Sequence, residues 1–468
     1  MQIKILSRTI PIIIFSLLSA VSAAPDGEAL YQQSCASCHG PELQGGNAQS
    51  LVDGVWQFGA SRGYIYRNIE FGIPNLGMPS YSDSLSRDEI EAIVDFLEEA
   101  EKRANPQKPS LPEELETLDY KINVEVFAEG LDIPWAIAFP DEHTILVTER
   151  PGPLRVIENG KLNPQPIKNT PEVIPEGQGG MLDVAVDPEY EQNGWIYLSY
   201  SHGSPIRPDS GTLPAMTRIV RGKIKDHTWT DQEVLFEAPH ETYLTTRYHF
   251  GCRIVFDDKG YLYFGIGDRG RQDLAQDLSV PNGKIFRIHK DGTIPEDNPF
   301  VDRDNALKAA FAYGIRNPQG MAVHPSTDKL WETEHGPLGG DEVNLIRPGV
   351  NYGWPEITYG KNYNGTPITA FRARSGMAQP VYYWRPSIAV CGMDFVTGDQ
   401  FPLWENYMLV TALKYEEVRL LNVHAARVMH DEVILKNHGR VRDVGCGPDG
   451  AIYPVLNSPG VILKLTRK

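Results

Sequence analysis

Residues 247–270, RYHFGCRIVFDDKGYLYFGIGDRG, carry a histidine and a carboxylate at a spacing that could support proton transfer. The stretch reads as a β-hairpin. An apolar run, Ile254-Val255-Phe256, meets an Asp-Asp-Lys-Gly turn and then Tyr261-Leu262-Tyr263-Phe264. With the turn centred between Asp258 and Lys259, antiparallel counting sets His249 opposite Asp268. A histidine facing a carboxylate can act as a general base with its orienting partner. Taken alone, the same pair also fits a solvated edge contact, and a bulge would break the count.

A second set is contiguous. Cys35-Ala36-Ser37-Cys38-His39 fits C-x-x-C-H. Two thiols at that spacing can bond to the two vinyl groups of one haem, and the adjacent histidine can ligate the iron. A redox or zinc-binding CxxC is the rival reading, and the neighbours favour haem. A short helical segment, residues 27–33, precedes the motif, and Gly77-Met78-Pro79 follows as a loop able to offer a thioether. A capping box, Ser86 with Glu89, then opens a helix with Ile90, Ile93, Val94 and Leu97 on one side. This order resembles class I cytochrome c across residues 25–104. The resemblance implies haem c held by Cys35 and Cys38, with His39 and Met78 as axial ligands.

The elements that must position His249 come from a repeat. From Tyr120 onward an apolar strand, a turn and a second apolar or aromatic strand recur. The first strands contain Ile137-Ala138-Phe139, Val184-Ala185-Val186, Ile254-Val255-Phe256, Met321-Ala322-Val323, Met393-Asp394-Phe395 and Val444-Gly445-Cys446, spaced 47 to 72 residues apart. Six such units predict an all-β six-bladed β-propeller, preceded by a small all-α cytochrome c domain. Residues 460–465 could pair with residues 121–127 to close the ring. A pair of β-sandwiches explains the repeat less well.

In a propeller the first strand of each blade lines the axis, so residues just before it gather at one mouth. Here these are Gln178, His249, Arg316 with Asn317, Ser387, and Arg440 with Arg442, to which Lys414 can be added. Cations converging in an acidic chain imply an anionic ligand. Each arginine alone would fit an interblade ion pair equally well.

At these residues the chain resembles the PQQ-dependent soluble aldose (glucose) dehydrogenases, from about Asp132 to Lys464. The motifs that carry the resemblance are Gly177-Gln178-Gly179-Gly180, His249 with Arg253, Ile266-Gly267-Asp268, Arg316-Asn317-Pro318-Gln319-Gly320, Glu334-His335-Gly336-Pro337, Asp341-Glu342-Val343-Asn344-Leu345-Ile346, Asn351-Tyr352-Gly353-Trp354-Pro355 and Arg440-Val441-Arg442-Asp443. The resemblance implies His249 as catalytic base, oriented by Asp268. It also implies that Gln178, Arg316, Asn317, Lys414, Arg440 and Arg442 hold PQQ, and that the carbonyls of Gly336 and Pro337 bind calcium. The expected reaction is oxidation of an aldose at C1 to its lactone, with electrons passing to the haem and then to an external periplasmic acceptor. The alternatives are another alcohol or aldehyde such as sorbosone, a calcium-dependent lactonase, and a non-catalytic cytochrome whose propeller binds a partner.

Bulk properties agree. The formal charge is −17, and removing Lys4 and Arg8 with the first 24 residues takes it to −19, which argues against a nucleic-acid partner. Residues 1–24 read as a signal peptide: two basic residues, an apolar stretch from Ile10 to Leu18 with Pro11 and Ser16 inside it, and a small-residue cleavage site. An uncleaved membrane anchor is the rival reading, but the apolar stretch is short for a span, so a periplasmic protein with no transmembrane span in the mature chain is expected. Residues 105–117 read as a proline-rich linker and residues 118–468 as the propeller. Cys252, Cys391 and Cys446 allow either one disulfide and a free thiol or three buried thiols.

Overall fold

The computed structural model describes residues 24–52, 62–73, 77–104, 111–206 and 211–468. The expected signal peptide lies outside the described residues apart from Ala24, as do residues 105–110 of the expected linker.

Among the described residues four helices form the N-terminal unit: α1 (Gly27–Ser34), α2 (Ala36–His39), α3 (Arg62–Phe71) and α4 (Arg87–Ala104). Asp26 caps α1 by accepting the Ala29 N–H at 3.1 Å. The capping box of α4 is present. Glu89 accepts the Ser86 N–H at 2.7 Å, and the Glu89 N–H reaches the Ser86 hydroxyl at 3.4 Å. Ile90, Ile93, Val94, Leu97 and Ala100 recur at three- and four-residue spacing, so α4 buries one face against Tyr31, Ile65 and Ile69.

The remainder is six antiparallel sheets, five with four strands and one with five. Their innermost strands are Pro134–Asp141, Met181–Val186, Ile254–Phe256, Pro318–Val323, Val390–Phe395 and Arg440–Cys446, which contain the six apolar triplets read from the sequence. We number the sheets blades 1 to 6 in that order. Val461–Arg467 pairs with Lys121–Ala128, so the two ends of the propeller share blade 6 and close the ring. This is a six-bladed β-propeller. Glu114–Glu116, read as linker, adds an edge strand to blade 6. Leu115 drives that difference by packing against the hydrophobic cluster between blades 5 and 6.

The core is not central. Six apolar clusters lie between neighbouring blades, one per interface. Each blade therefore needs both neighbours to bury its faces, which is why a closed ring forms. Hydroxyls repeat the linkage. Thr148 and Thr333 each donate to an inner-strand carbonyl of the next blade, at 2.5 and 2.6 Å, and Ser199 donates to the Cys252 carbonyl just before the inner strand of blade 3, at 2.7 Å. The turns repeat too. In blades 2, 3 and 6 an aspartate (Asp187, Asp257, Asp449) accepts turn N–H groups and a tyrosine hydroxyl from the next strand.

The axis itself is polar. Arg253 lies between Asp183 and Asp443, at 3.0 and 2.8 Å, and stacks on Trp135. Blades 2, 3 and 6 are thereby tied by one buried cation.

Candidate active site

His249 and Asp268 do meet, but not by the register counted from the turn. The observed pairs, Ile254 with Phe264 through Phe256 with Leu262, centre the hairpin on Lys259, half a residue further along. Strict continuation would miss Asp268. The strand instead ends at Ile254, and the chain turns back through positive φ at His249 (56°), Gly251 (69°) and Cys252 (103°). That irregular segment returns the imidazole to the carboxylate, with Nδ1 of His249 2.6 Å from Oδ1 of Asp268.

Left-handed backbone at a non-glycine residue has to be held by its surroundings. Gln178 accepts the His249 N–H at 2.8 Å. Arg269 donates to the carbonyls of Tyr248 (2.5 Å) and Thr246 (2.7 Å), while its own carbonyl accepts the Thr246 hydroxyl. Arg269 is fully buried over the face of Phe250, and burial, helped by the nearby charge of Arg247, lowers its pKa to about 9. The Gly177-Gln178-Gly179-Gly180 loop packs directly on this segment. Gly177 has φ +59°, and a Cβ there would lie 2.4 Å from the Arg247 carbonyl; at Gly180 a Cβ would meet the Arg150 carbonyl at 1.9 Å.

Electrostatics set the proton positions. Burial opposes the charge on Asp268, but His249, Arg316 and the Gly270 N–H outweigh it and hold its pKa below the ordinary value. The His249 pKa is lowered, first by burial and then by Arg316. A neutral imidazole that donates from Nδ1 to a carboxylate keeps its lone pair on Nε2, the form able to accept a proton. Trp354 completes the carboxylate's shell, its indole N–H 2.8 Å from Oδ2 of Asp268.

The expected cations come from several blades. Arg316 and Asn317 follow blade 3, their N–H groups held by the Glu334 carboxylate at 2.5 and 3.3 Å. Burial raises that carboxyl to about 7. Arg440 and Arg442 belong to blade 6; Arg440 donates to the Leu413 carbonyl and Arg442 to Gln319 and the Cys391 sulfur. Lys414 follows Leu413 at the rim and is exposed. His335, to which the sequence reading gave no role, sits among them. Its pKa is driven far down by burial and then by Arg442, Arg316, His249 and Arg440 together. Those five side chains therefore share one locality.

Among the described residues, Nε of Arg316, Arg440 and Arg442 and Nε2 of His335 are buried without a hydrogen-bond partner. Unsatisfied donors on buried cations are costly, and an anionic ligand bearing several oxygens would satisfy them. The donor set thus fits a polycarboxylate. Beside it, Arg316 donates to the Gly336 carbonyl (3.0 Å) and Ser387 to the Pro337 carbonyl (3.0 Å). Each carbonyl oxygen keeps a second lone pair, and such neutral hard donors suit Ca²⁺.

In the helical unit Cys35 is buried and Cys38 exposed. Nδ1 of His39 is tied to the Gln49 carbonyl at 2.8 Å, which leaves Nε2 as the nitrogen able to ligate a metal. Met78 packs against the helical core, its loop pinned by mutual backbone bonds with Ile73. These donors fit a haem. Among the described residues the unit meets the propeller at an ion pair, Arg67 of α3 with Glu176 at 3.5 Å, and Glu176 also binds Arg247 at 2.6 Å. The remaining cysteines, Cys252, Cys391 and Cys446, are three separate thiols. No described helix is long and apolar enough to cross a membrane.

Residues 131–464 match the family described as Glucose / Sorbosone dehydrogenase. The chain belongs to that family. Residues 22–97 match the family of subunit III of cbb3-type cytochrome c oxidase, so the helical unit is a cytochrome c domain. The Escherichia coli aldose sugar dehydrogenase YliI is 43% identical over 352 residues, covering 74% of this chain and 93% of that protein. Quinoprotein glucose dehydrogenase B of Acinetobacter calcoaceticus is 26% identical over 413 residues, 71% of this chain and 84% of that protein. Among solved structures, the apo-form of the soluble E. coli aldose sugar dehydrogenase superposes with TM-score 0.70 at 41% identity, over 74% of this chain and 100% of that one. The PQQ-bound aldose sugar dehydrogenase of Streptomyces coelicolor gives 0.59 at 25% identity, over 75% and 99%. This member of the glucose/sorbosone dehydrogenase family is an oxidoreductase, a sugar dehydrogenase with a cytochrome c domain.

Proposed function

We propose that the chain is a periplasmic quinohaemoprotein that oxidises an aldose at C1 to its lactone. The observation that carries this reading is the cluster of unpartnered buried donors beside a neutral histidine. Arg316, Arg440 and Arg442, with Asn317, Gln178 and Lys414 at its edges, would hold the carboxylates and quinone oxygens of PQQ. PQQ, when bound, supplies an acceptor for the hydride that leaves the sugar. Gly336 and Pro337 would hold Ca²⁺ through their carbonyls, which adds positive charge where the ligand's oxygens gather.

The chain's own residues do the rest. Nε2 of His249 takes the proton of the anomeric hydroxyl, and Asp268 stabilises the imidazolium so formed. Gln178 also keeps His249 in place through its backbone N–H, so this residue serves both the ligand and the base.

Cys35, Cys38, His39 and Met78 would hold haem c, which supplies a one-electron acceptor. The Arg67–Glu176 contact supports this route, because it sets α3 against the loop that carries Gln178. An external periplasmic acceptor completes the cycle. Residues 1–24 serve as the export signal, residues 25–104 as the haem domain and residues 118–468 as the dehydrogenase. The lactonase reading leaves the buried donors without a ligand and gives the haem no purpose.

Purified apo-protein is reconstituted with PQQ and Ca²⁺, and haem absorbance is followed on adding a panel of sugars and sorbosone. Haem reduction by an aldose is the expected result. H249Q should lower turnover by about 10² to 10⁴ while PQQ still binds; normal turnover in H249Q rules out the base assignment.

A further inference from the structure

We infer that Trp354 is a positioning residue for the dyad, fixing Asp268 and through it His249 by means of its indole N–H. The Asn351–Pro355 segment carries no assigned task, yet its geometry is closely determined. Gly353 takes φ +92° and donates to the Asn351 side chain at 2.8 Å. Gln276 donates to the Trp354 carbonyl at 2.7 Å, and the Trp354 N–H reaches the Gly314 carbonyl at 2.9 Å. The backbone is thus held from two sides, and Trp354 is 7% exposed.

Asp268 divides its oxygens. Oδ1 accepts from His249 (2.6 Å) and from the Gly270 N–H (2.7 Å), and Oδ2 accepts from Trp354 (2.8 Å). With one partner set per oxygen, the carboxylate has a single orientation that serves His249. Loss of the indole N–H would free Oδ2 and concentrate the negative charge on the bond to the imidazole. The same ring lines the cleft with Gly336 and Pro337, and the Arg316 guanidinium lies 5.3 Å from its centroid. Trp354 is therefore a wall shared by the dyad and the cation cluster. The charged groups that bear on His249 are Asp268, Arg316 and Arg269, with His335 close by.

The effect on turnover rests on His249 being the base, but the hydrogen bond does not, so W354F can be read in the apo-protein. With histidine-¹⁵N labelling, and H249Q to assign the resonance, the His249 titration should rise about tenfold in proton affinity. In the holoenzyme kcat should fall about tenfold, with the sugar KM within about twofold. Because Trp354 acts through Asp268, D268N/W354F should be no slower than D268N alone. Additive losses in that double variant, or an unmoved His249 titration, overturn the inference. Should W354F fold poorly, W354Y retains a donor and is expected to keep more turnover than W354F; equal loss would reduce Trp354 to a wall. If H249Q turned over normally the base would be wrong, whereas the shifted titration in W354F would still stand.

Discussion

The two parts of this chain build chemistry in opposite ways. In the cytochrome c domain the groups proposed to hold haem, Cys35, Cys38 and His39, sit within one turn-length of sequence, and Met78 comes from elsewhere. In the propeller no two neighbours suffice. His249 and Asp268 flank the blade 3 hairpin, Arg316 follows blade 3, Arg440 and Arg442 belong to blade 6, and Trp354 arrives on the loop between the third and fourth strands of blade 4. A covalently attached cofactor needs little from the fold beyond a pocket, because its bonds fix its place. A non-covalent anionic cofactor must be held by many groups at once, and a closed ring of blades brings distant residues to one mouth.

The contrast can be tested from its strongest consequence downward. C35S/C38S should abolish haem retained on a denaturing gel altogether, while PQQ titration of the propeller is unchanged; a propeller that lost PQQ as well would break the separation. Next, R316M or R442M should weaken PQQ binding by about ten- to a hundredfold, the scale of one hydrogen bond to a charged group, read by calorimetry at fixed Ca²⁺. Unaltered affinity would mean the arginines face something else.

A smaller effect concerns pH. His249 is held neutral, its pKa lowered by burial and Arg316. If His249 is the base, as proposed, it is active when deprotonated, so the acid limb of kcat/KM should lie below about 6.5, the free-histidine value. For stability the sign is the same. As pH falls below that value the unfolded chain binds a proton that folded His249 refuses, so stability drops with acidification. H249Q should flatten that loss in thermal melts of the apo-protein. The smallest effect belongs to the interdomain contact. R67E should slow internal haem reduction less than about fivefold at low salt and by nothing measurable at high salt, since exposed pairs are weak and screened.

What the sequence disclosed follows the same division. The C-x-x-C-H run and the Ser86 capping box were legible because each is local. The blades were legible because each inner strand is an apolar triplet before a turn. Ring closure by residues 460–465 was legible from the apolar run alone. The His249–Asp268 meeting was anticipated from a hairpin count that the strand does not obey. Positive φ at His249 and Cys252 has no signature in residue type, since neither is glycine. Arg269, His335 and Trp354 were silent for another reason. Their tasks depend on partners contributed by separate loops: the Tyr248 carbonyl, the three arginines and Asp268. His335 stood within a quoted motif, but only its burial among cations shows what surrounds it.

The outermost strand of blade 6 has a mechanical consequence. Glu114–Glu116 is three residues long and is zipped to the eight-residue strand Lys121–Ala128, which seals the ring. The haem domain is tethered to the short piece, not to the seal. Tension applied between the cytochrome c domain and the propeller would therefore peel a sacrificial edge and lengthen the leash, while the doughnut of blades beneath stays locked.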